Sequence, residues 1–174
     1  MKKYLILIFT FYSLNIYAGL LLEPYVGFDF STYGKTENGN LNVDWRSFEF
    51  GGRIGYIWDT FMVGVDIDSK DKKVEYGPND QDTEISNRGV FAGWNWEDWA
   101  LRLKYYFNAD WRIQGGSSYS GNGFGLDVAY RIKPNISINL EFTRITYDNF
   151  ENDGDLETHD ILIAVSFPFD LVTK

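Results

Sequence analysis

The chain has 174 residues, 18% of them aromatic, with no cysteine and a formal net charge of −9. That length fits one domain. The absence of cysteine excludes a disulfide framework, and the acidic balance argues against a nucleic-acid partner, which wants a basic face.

The N-terminus reads Met1-Lys2-Lys3, then an apolar run over residues 4–14, then Asn15-Ile16-Tyr17-Ala18-Gly19. A basic start, a short apolar core and a small residue at the cleavage point make a secretory signal peptide. The run is too short for a spanning helix, which needs about 20 apolar residues. Cleavage is expected after Ala18, leaving one domain over residues 19–174. Loss of Lys2 and Lys3 then takes the net charge from −9 to −11. An exported chain without disulfides must be held by strand pairing and packing.

The first strand is expected over residues 20–30. Leu20, Leu22, Pro24, Val26, Phe28 and Phe30 form one face; Glu23, Tyr25, Gly27 and Asp29 form the other. A period of two is a strand period, because successive side chains point to opposite sides. A polar loop, 31–46, follows. The second strand, 47–58, sets Phe48, Phe50, Ile54, Tyr56 and Trp58 against Glu49, Gly51, Arg53 and Gly55. Asp59-Thr60 turns it at once into the third, where Phe61, Val63, Val65 and Ile67 alternate with Met62, Gly64, Asp66 and Asp68. That turn pairs Trp58 with Phe61 and therefore Arg53 with Asp66.

After a second polar loop, 69–83, the fourth strand (84–96) points Val90, Ala92, Trp94 and Trp96 one way and Asn87, Gly89, Phe91, Gly93 and Asn95 the other. Glu97-Asp98 turns it into the fifth. There Trp99, Leu101, Leu103, Tyr105, Phe107, Ala109 and Trp111 alternate with Ala100, Arg102, Lys104, Tyr106, Asn108 and Asp110. A glycine-serine loop, 114–123, leads to the clearest hairpin. Phe124, Leu126, Val128, Tyr130 and Ile132 oppose Ile136, Ile138, Leu140 and Phe142 about Lys133-Pro134-Asn135. Asp127 then faces Glu141, with Arg131 nearby. An acidic loop, 148–158, precedes the eighth strand, 159–169, whose apolar face is Ile161, Ile163, Val165, Phe167 and Phe169.

Eight strands alternate short links with long polar ones. Transmembrane barrels have an even strand number, short periplasmic turns, longer outer loops and an apolar outer band edged by aromatics. Trp58, Phe61, Trp96, Trp99 and Tyr130 fall beside the short turns, and Trp111 near a long loop. Together they make the expected aromatic girdle. The fold class is therefore all-β, an eight-stranded antiparallel up-and-down transmembrane barrel. A lipocalin-like barrel would turn the apolar face inward, but an interior of Phe and Trp rings would overfill it.

From residue 123 to residue 169 the chain resembles the transmembrane domain of outer membrane protein A and the small eight-stranded barrels related to it. Gly125-Leu126-Asp127-Val128-Ala129-Tyr130-Arg131-Ile132 and Lys133-Pro134-Asn135-Ile136 are similar to that family's penultimate hairpin, with Leu140-Glu141-Phe142 after them. Ile163-Ala164-Val165-Ser166-Phe167-Pro168-Phe169 resembles the closing strand read by the barrel-assembly machinery. Pro168 interrupts that signal, and Asp170 to Lys174 follow it. The resemblance implies an outer-membrane location, contact with membrane lipid and lipopolysaccharide, assembly through the C-terminal strand, and a monomer.

The inward charges form the main polar constellation: Glu23, Asp29, Glu49, Arg53, Asp66, Arg102, Lys104, Asp127, Arg131 and Glu141. An eight-stranded bore is just wide enough for side chains to fill it, and buried charges there must pair. A salt-bridged plug is the expectation, and a gated narrow channel the alternative. A lipid-modifying enzyme would need His with Ser and a carboxylate. The only histidine, His159, stands beside Asp160 at an expected strand start with no ordered triad, so no catalysis is expected. The run Glu151-Asn152-Asp153-Gly154-Asp155-Leu156-Glu157 has Asp and Asn at alternate positions like a calcium loop without its full spacing; no metal or cofactor is expected. Function falls to the long loops and an unidentified ligand on them.

Overall fold

The computed structural model describes residues 18–36, 39–41, 47–76, 79–149 and 154–171. The expected signal peptide up to residue 17 and residues 151–153 of the acidic run lie outside them. Ten β-segments are present: β1 (Ala18–Thr36), β2 (Gly39–Leu41), β3 (Ser47–Trp58), β4 (Phe61–Tyr76), β5 (Asn79–Asn95), β6 (Trp99–Ile113), β7 (Ser118–Lys133), β8 (Ile136–Tyr147), β9 (Leu156–Ser166) and β10 (Phe169–Leu171). Eight long strands run antiparallel in the order β1-β3-β4-β5-β6-β7-β8-β9, and β9 pairs back onto β1. The ring is closed, so its wall has no free sheet edge. The two short segments belong to β1: β2 pairs with Gly34–Thr36 at one end and β10 with Leu20–Leu22 at the other.

The tight turns set the registers. Asp59 takes φ 53°, the left-handed conformation that a two-residue hairpin turn requires and that Asp tolerates. Trp58 pairs with Phe61 and Arg53 with Asp66; Gly93 pairs with Arg102 and Asp127 with Glu141. Outward side chains such as Phe50, Ile54, Leu103, Phe124 and Ile163 are exposed around the whole wall. Leu101 and Val128 pair with each other between the buried inward residues Ala100, Arg102, Asp127 and Ala129. The apolar face therefore looks out and the charged face in, as the strand pattern requires.

Three boundaries differ from the expectation, all at the long-loop end. The polar stretch 69–83 is not a loop: β4 and β5 remain paired from Asp71 and Glu84 up to Tyr76 and Asn79. Likewise β1 continues to Thr36, and β7 begins at Ser118 within the glycine-serine stretch. A strand that rises clear of the apolar band is wetted outside, so it loses the apolar half of its alternation and reads as loop. At the other end, Ser166 closes β9, and the chain resumes pairing at Phe169. Between them Phe167 N donates to Pro24 O at 2.9 Å, while Pro168 has no N–H to offer.

Trp111 is a correction to the girdle. Tyr106 pairs with Gly123 and Ala109 with Gly121, so Phe107 and Asn108 together face Asn122 alone. This bulge inserts one residue and flips the alternation beyond it. Ala109 and Trp111 are consequently turned into the bore, both 0% exposed, with the Trp111 ring 5.2 Å from that of Tyr147. The aromatics beside the short turns face outward: Trp58 and Phe61 stack at 6.2 Å, Phe61 meets Trp94 at 6.2 Å, and Trp99 lies 4.8 Å from Tyr130. Trp96 is exposed next to them.

Candidate functional site

The bore is filled in tiers. Nearest the short turns, Leu21, Met62, Phe91, Ala100 and Ala129 form a buried apolar cluster, with Ile57 packed on it. Phe91 fits because two glycines face it. A Cβ on Gly64 would lie 2.7 Å from its Cζ, and one on Gly55 3.1 Å. The cavity beside this septum, bordered by Leu21, Met62 and Ala100, has a volume of about 20 Å³, which is room for one water.

Above it sits an ionic cluster built around Arg53. Its Nε donates to Asp66 Oδ2 at 2.9 Å, Nη1 to Glu23 Oε1 at 3.0 Å and Nη2 to Glu141 Oε2 at 3.3 Å. The guanidinium also stands 4.3 Å over the Tyr25 ring, and the Tyr25 hydroxyl donates to Asp66 Oδ1 at 3.1 Å. Arg102 bridges Glu23 at 2.7 Å and Asp127 at 2.5 Å. Lys104 reaches Asp66 at 2.7 Å and Glu141 at 2.6 Å, and Tyr106 donates to Glu141 Oε1 at 2.7 Å. Three cations thus meet four carboxylates drawn from β1, β4, β7 and β8.

A second cluster lies further toward the long loops. Lys70 is 2.9 Å from Asp160, 3.3 Å from Asp29 and 3.3 Å from Glu49; Lys72 is 2.7 Å from Asp29 and 3.1 Å from Asp160. Asn87 donates to Asp68 Oδ1 at 2.7 Å. Aromatic and aliphatic groups complete the filling at this end, among them Ile85, Trp111, Tyr119, Ile145, Tyr147 and Leu156.

Of the ten charges read from the sequence, Glu23, Arg53, Asp66, Arg102, Lys104, Asp127 and Glu141 come together in the lower cluster, and Asp29 and Glu49 join the upper one. Arg131 does not belong. It sits at the rim by the short turns, where its guanidinium donates to Asn95 Oδ1 at 3.2 Å and Glu97 O at 3.3 Å. The sequence reading missed Lys70, Lys72 and Asp160 because it assigned them to loops or to a strand start. The inward parity of Asp66 and Asp68, carried two and four residues further, points to both lysines.

His159 lies inside β9, faces outward and bonds Glu157 through Nε2 at 2.7 Å. Glu157 also takes Arg144 at 2.5 Å. The hydrogen bonds from Arg144 and His159 hold its carboxyl, beyond the apolar band, below the usual carboxylate range. Among the described residues no three His, Cys, Asp or Glu side chains are grouped to hold a metal.

A closed antiparallel ring with apolar side chains outside, charges inside and aromatics at its short-turn rim is a transmembrane β-barrel of the outer-membrane kind. Residues 5–169 match the outer membrane protein beta-barrel domain, and the chain belongs to that family. The fold is similar to that of Ail, the attachment invasion locus protein of Yersinia pestis, solved with the heparin analogue sucrose octasulfate. The TM-score is 0.59 at 13% identity, over 87% of this chain and 99% of that one. It is also similar to Neisserial surface protein A, with TM-score 0.55 at 14% identity over 88% and 100%. No curated protein matches the chain by sequence.

Proposed function

We propose that this barrel is a closed outer-membrane scaffold that works through its loop-end surface, not through its bore. The observation that carries the reading is the filling of the bore at two levels, an ionic one over an apolar one. The paired strands β4 and β5 rise above Lys70 and carry polar sequence with them, which gives a partner a paired strand surface to meet. The similarity to an attachment protein and to a surface protein supports an interaction role. An acidic chain makes a poor receptor for a polyanion, so the loop ligand is expected to be neutral or cationic. The nascent chain is exported by cleavage after Ala18, inserts as a monomer through its C-terminal strands, and catalyses no reaction.

Single-channel recording on protein refolded into planar bilayers tests the closed bore. No discrete conductance is expected, and reproducible steps would establish the alternative, a narrow ion or solute channel. The interaction role is tested by screening ligands on intact cells, with a loop-shortened barrel as control. Equal binding by both forms would remove the loops from the account.

A further inference from the structure

The outer faces of β4, β5 and β6 are apolar from the short turns upward, and one cation breaks the pattern. On β4 the outward residues are Phe61, Val63, Val65 and Ile67; on β6 they are Trp99, Leu101, Leu103, Tyr105 and Phe107. On β5 the series Trp94, Ala92, Val90 is followed by Arg88. Register places Arg88 beside Ile67 on one neighbour. On the other it pairs with Asn108, next to the bulge residue Phe107, which is 55% exposed. Its partner Asn108 is polar at the same level, and the other polar outward residues lie above: Ser86 and Glu84 on β5, Ser69 and Asp71 on β4, Asp110 and Arg112 on β6. Arg88 is exposed at the upper edge of the apolar band, with Ile67 beside it, Val90 below it and Phe107 next to its partner Asn108.

Its charge is treated unlike those of the bore. Arg53, Lys70, Lys72, Arg102 and Lys104 all have carboxylate partners in the bore, and Arg144 on the outer surface has Glu157. Among the described residues no ion pair reaches Arg88, Arg112 or Arg131; Arg112 and Arg131 stand in the polar rims, and Arg88 at the edge of the apolar band. A guanidinium on the lipid face is costly unless it extends to the headgroup level and finds an anion there. Its planar fork matches a phosphate bidentately.

We propose that Arg88 is a docking point for the phosphate of an outer-leaflet lipid, whose acyl chain lies over Ile67, Val90 and Phe107. The site is independent of whatever the loops bind, and rests only on the barrel's place in the membrane. Above it Glu84 and Asp110 oppose an anion, while Arg112, paired with Glu84, could attract one, and Arg112 is therefore the control.

The test is native mass spectrometry of the refolded barrel in detergent micelles doped with synthetic lipid A, or with a phosphate-free diacyl galactolipid. Wild type, Arg88→Gln, Arg88→Lys and Arg112→Gln are compared, with far-UV circular dichroism to verify folding. Wild type is expected to retain lipid A over galactolipid. Arg88→Gln should lose about fivefold of that retention, Arg88→Lys should keep most of it, and Arg112→Gln should match wild type. Retention by Arg88→Gln equal to wild type would overturn the site. So would an equal loss in Arg112→Gln, which would mean diffuse rim charge, or equal retention of the galactolipid, which would mean apolar contact alone.

Discussion

Arg53 holds the lower cluster because its planar, five-donor head reaches four carboxylates on four strands, Glu23, Asp66, Asp127 and Glu141. Part of this was legible. The two-residue turn at Asp59-Thr60 fixes the register of β3 on β4, and so predicts the Asp66 contact at 2.9 Å. Glu23 also pairs with Arg53 across β1 and β3, but a long connection joins those strands and no turn chemistry sets its register. Glu141 comes from across the bore, at 3.3 Å, and is invisible until the ring closes. Arg53→Ala leaves four buried carboxylates facing only Arg102 and Lys104, an excess of buried negative charge that costs about 3–5 kcal/mol. Urea unfolding of the variant in lipid vesicles should show a clearly lower midpoint, and Arg53→Lys an intermediate one. An unshifted midpoint would refute Arg53 as the hub.

At the scale of the strand, alternation is read correctly only while the count of residues is unbroken. On β6 the odd positions from Trp99 to Trp111 are all apolar or aromatic, so the sequence offers a single uninterrupted face. The bulge at Phe107 and Asn108 splits it, sending Trp99 to the lipid and Trp111 to the bore. Nothing in the residues themselves marks the inserted one. The compensation lies opposite, where Gly121 and Gly123 leave β7 without side chains beside the bulge. Single-tryptophan variants in vesicles of bromine-labelled lipid separate the two positions. Fluorescence from Trp99 should be quenched strongly and that from Trp111 little. Equal quenching would return Trp111 to the girdle. The same limit explains the extended β4–β5 hairpin: above the band both faces are polar in composition, and period-two reading has no contrast to work with.

For the whole molecule, the proposed closed bore rests on two tiers acting as barriers in series, each by different physics. The ionic cluster blocks by occupancy: its side chains fill the bore and are held by strong pairs. The septum of Leu21, Met62 and Phe91 blocks by dewetting, since an apolar constriction resists a water column even where space is opened. If each barrier is sufficient alone, an outcome follows that a single plug would not give. Lys104→Gln with Glu141→Gln loosens the charges but leaves the septum, and should remain silent in planar bilayers. Met62→Gly with Phe91→Gly opens the septum under an intact cluster, and should also be silent. Only the four-substitution barrel should show discrete steps, provided heat-dependent gel mobility shows that it has folded. Conductance from the charge variant alone would mean the apolar tier is no barrier, and the ionic cluster alone closes the bore.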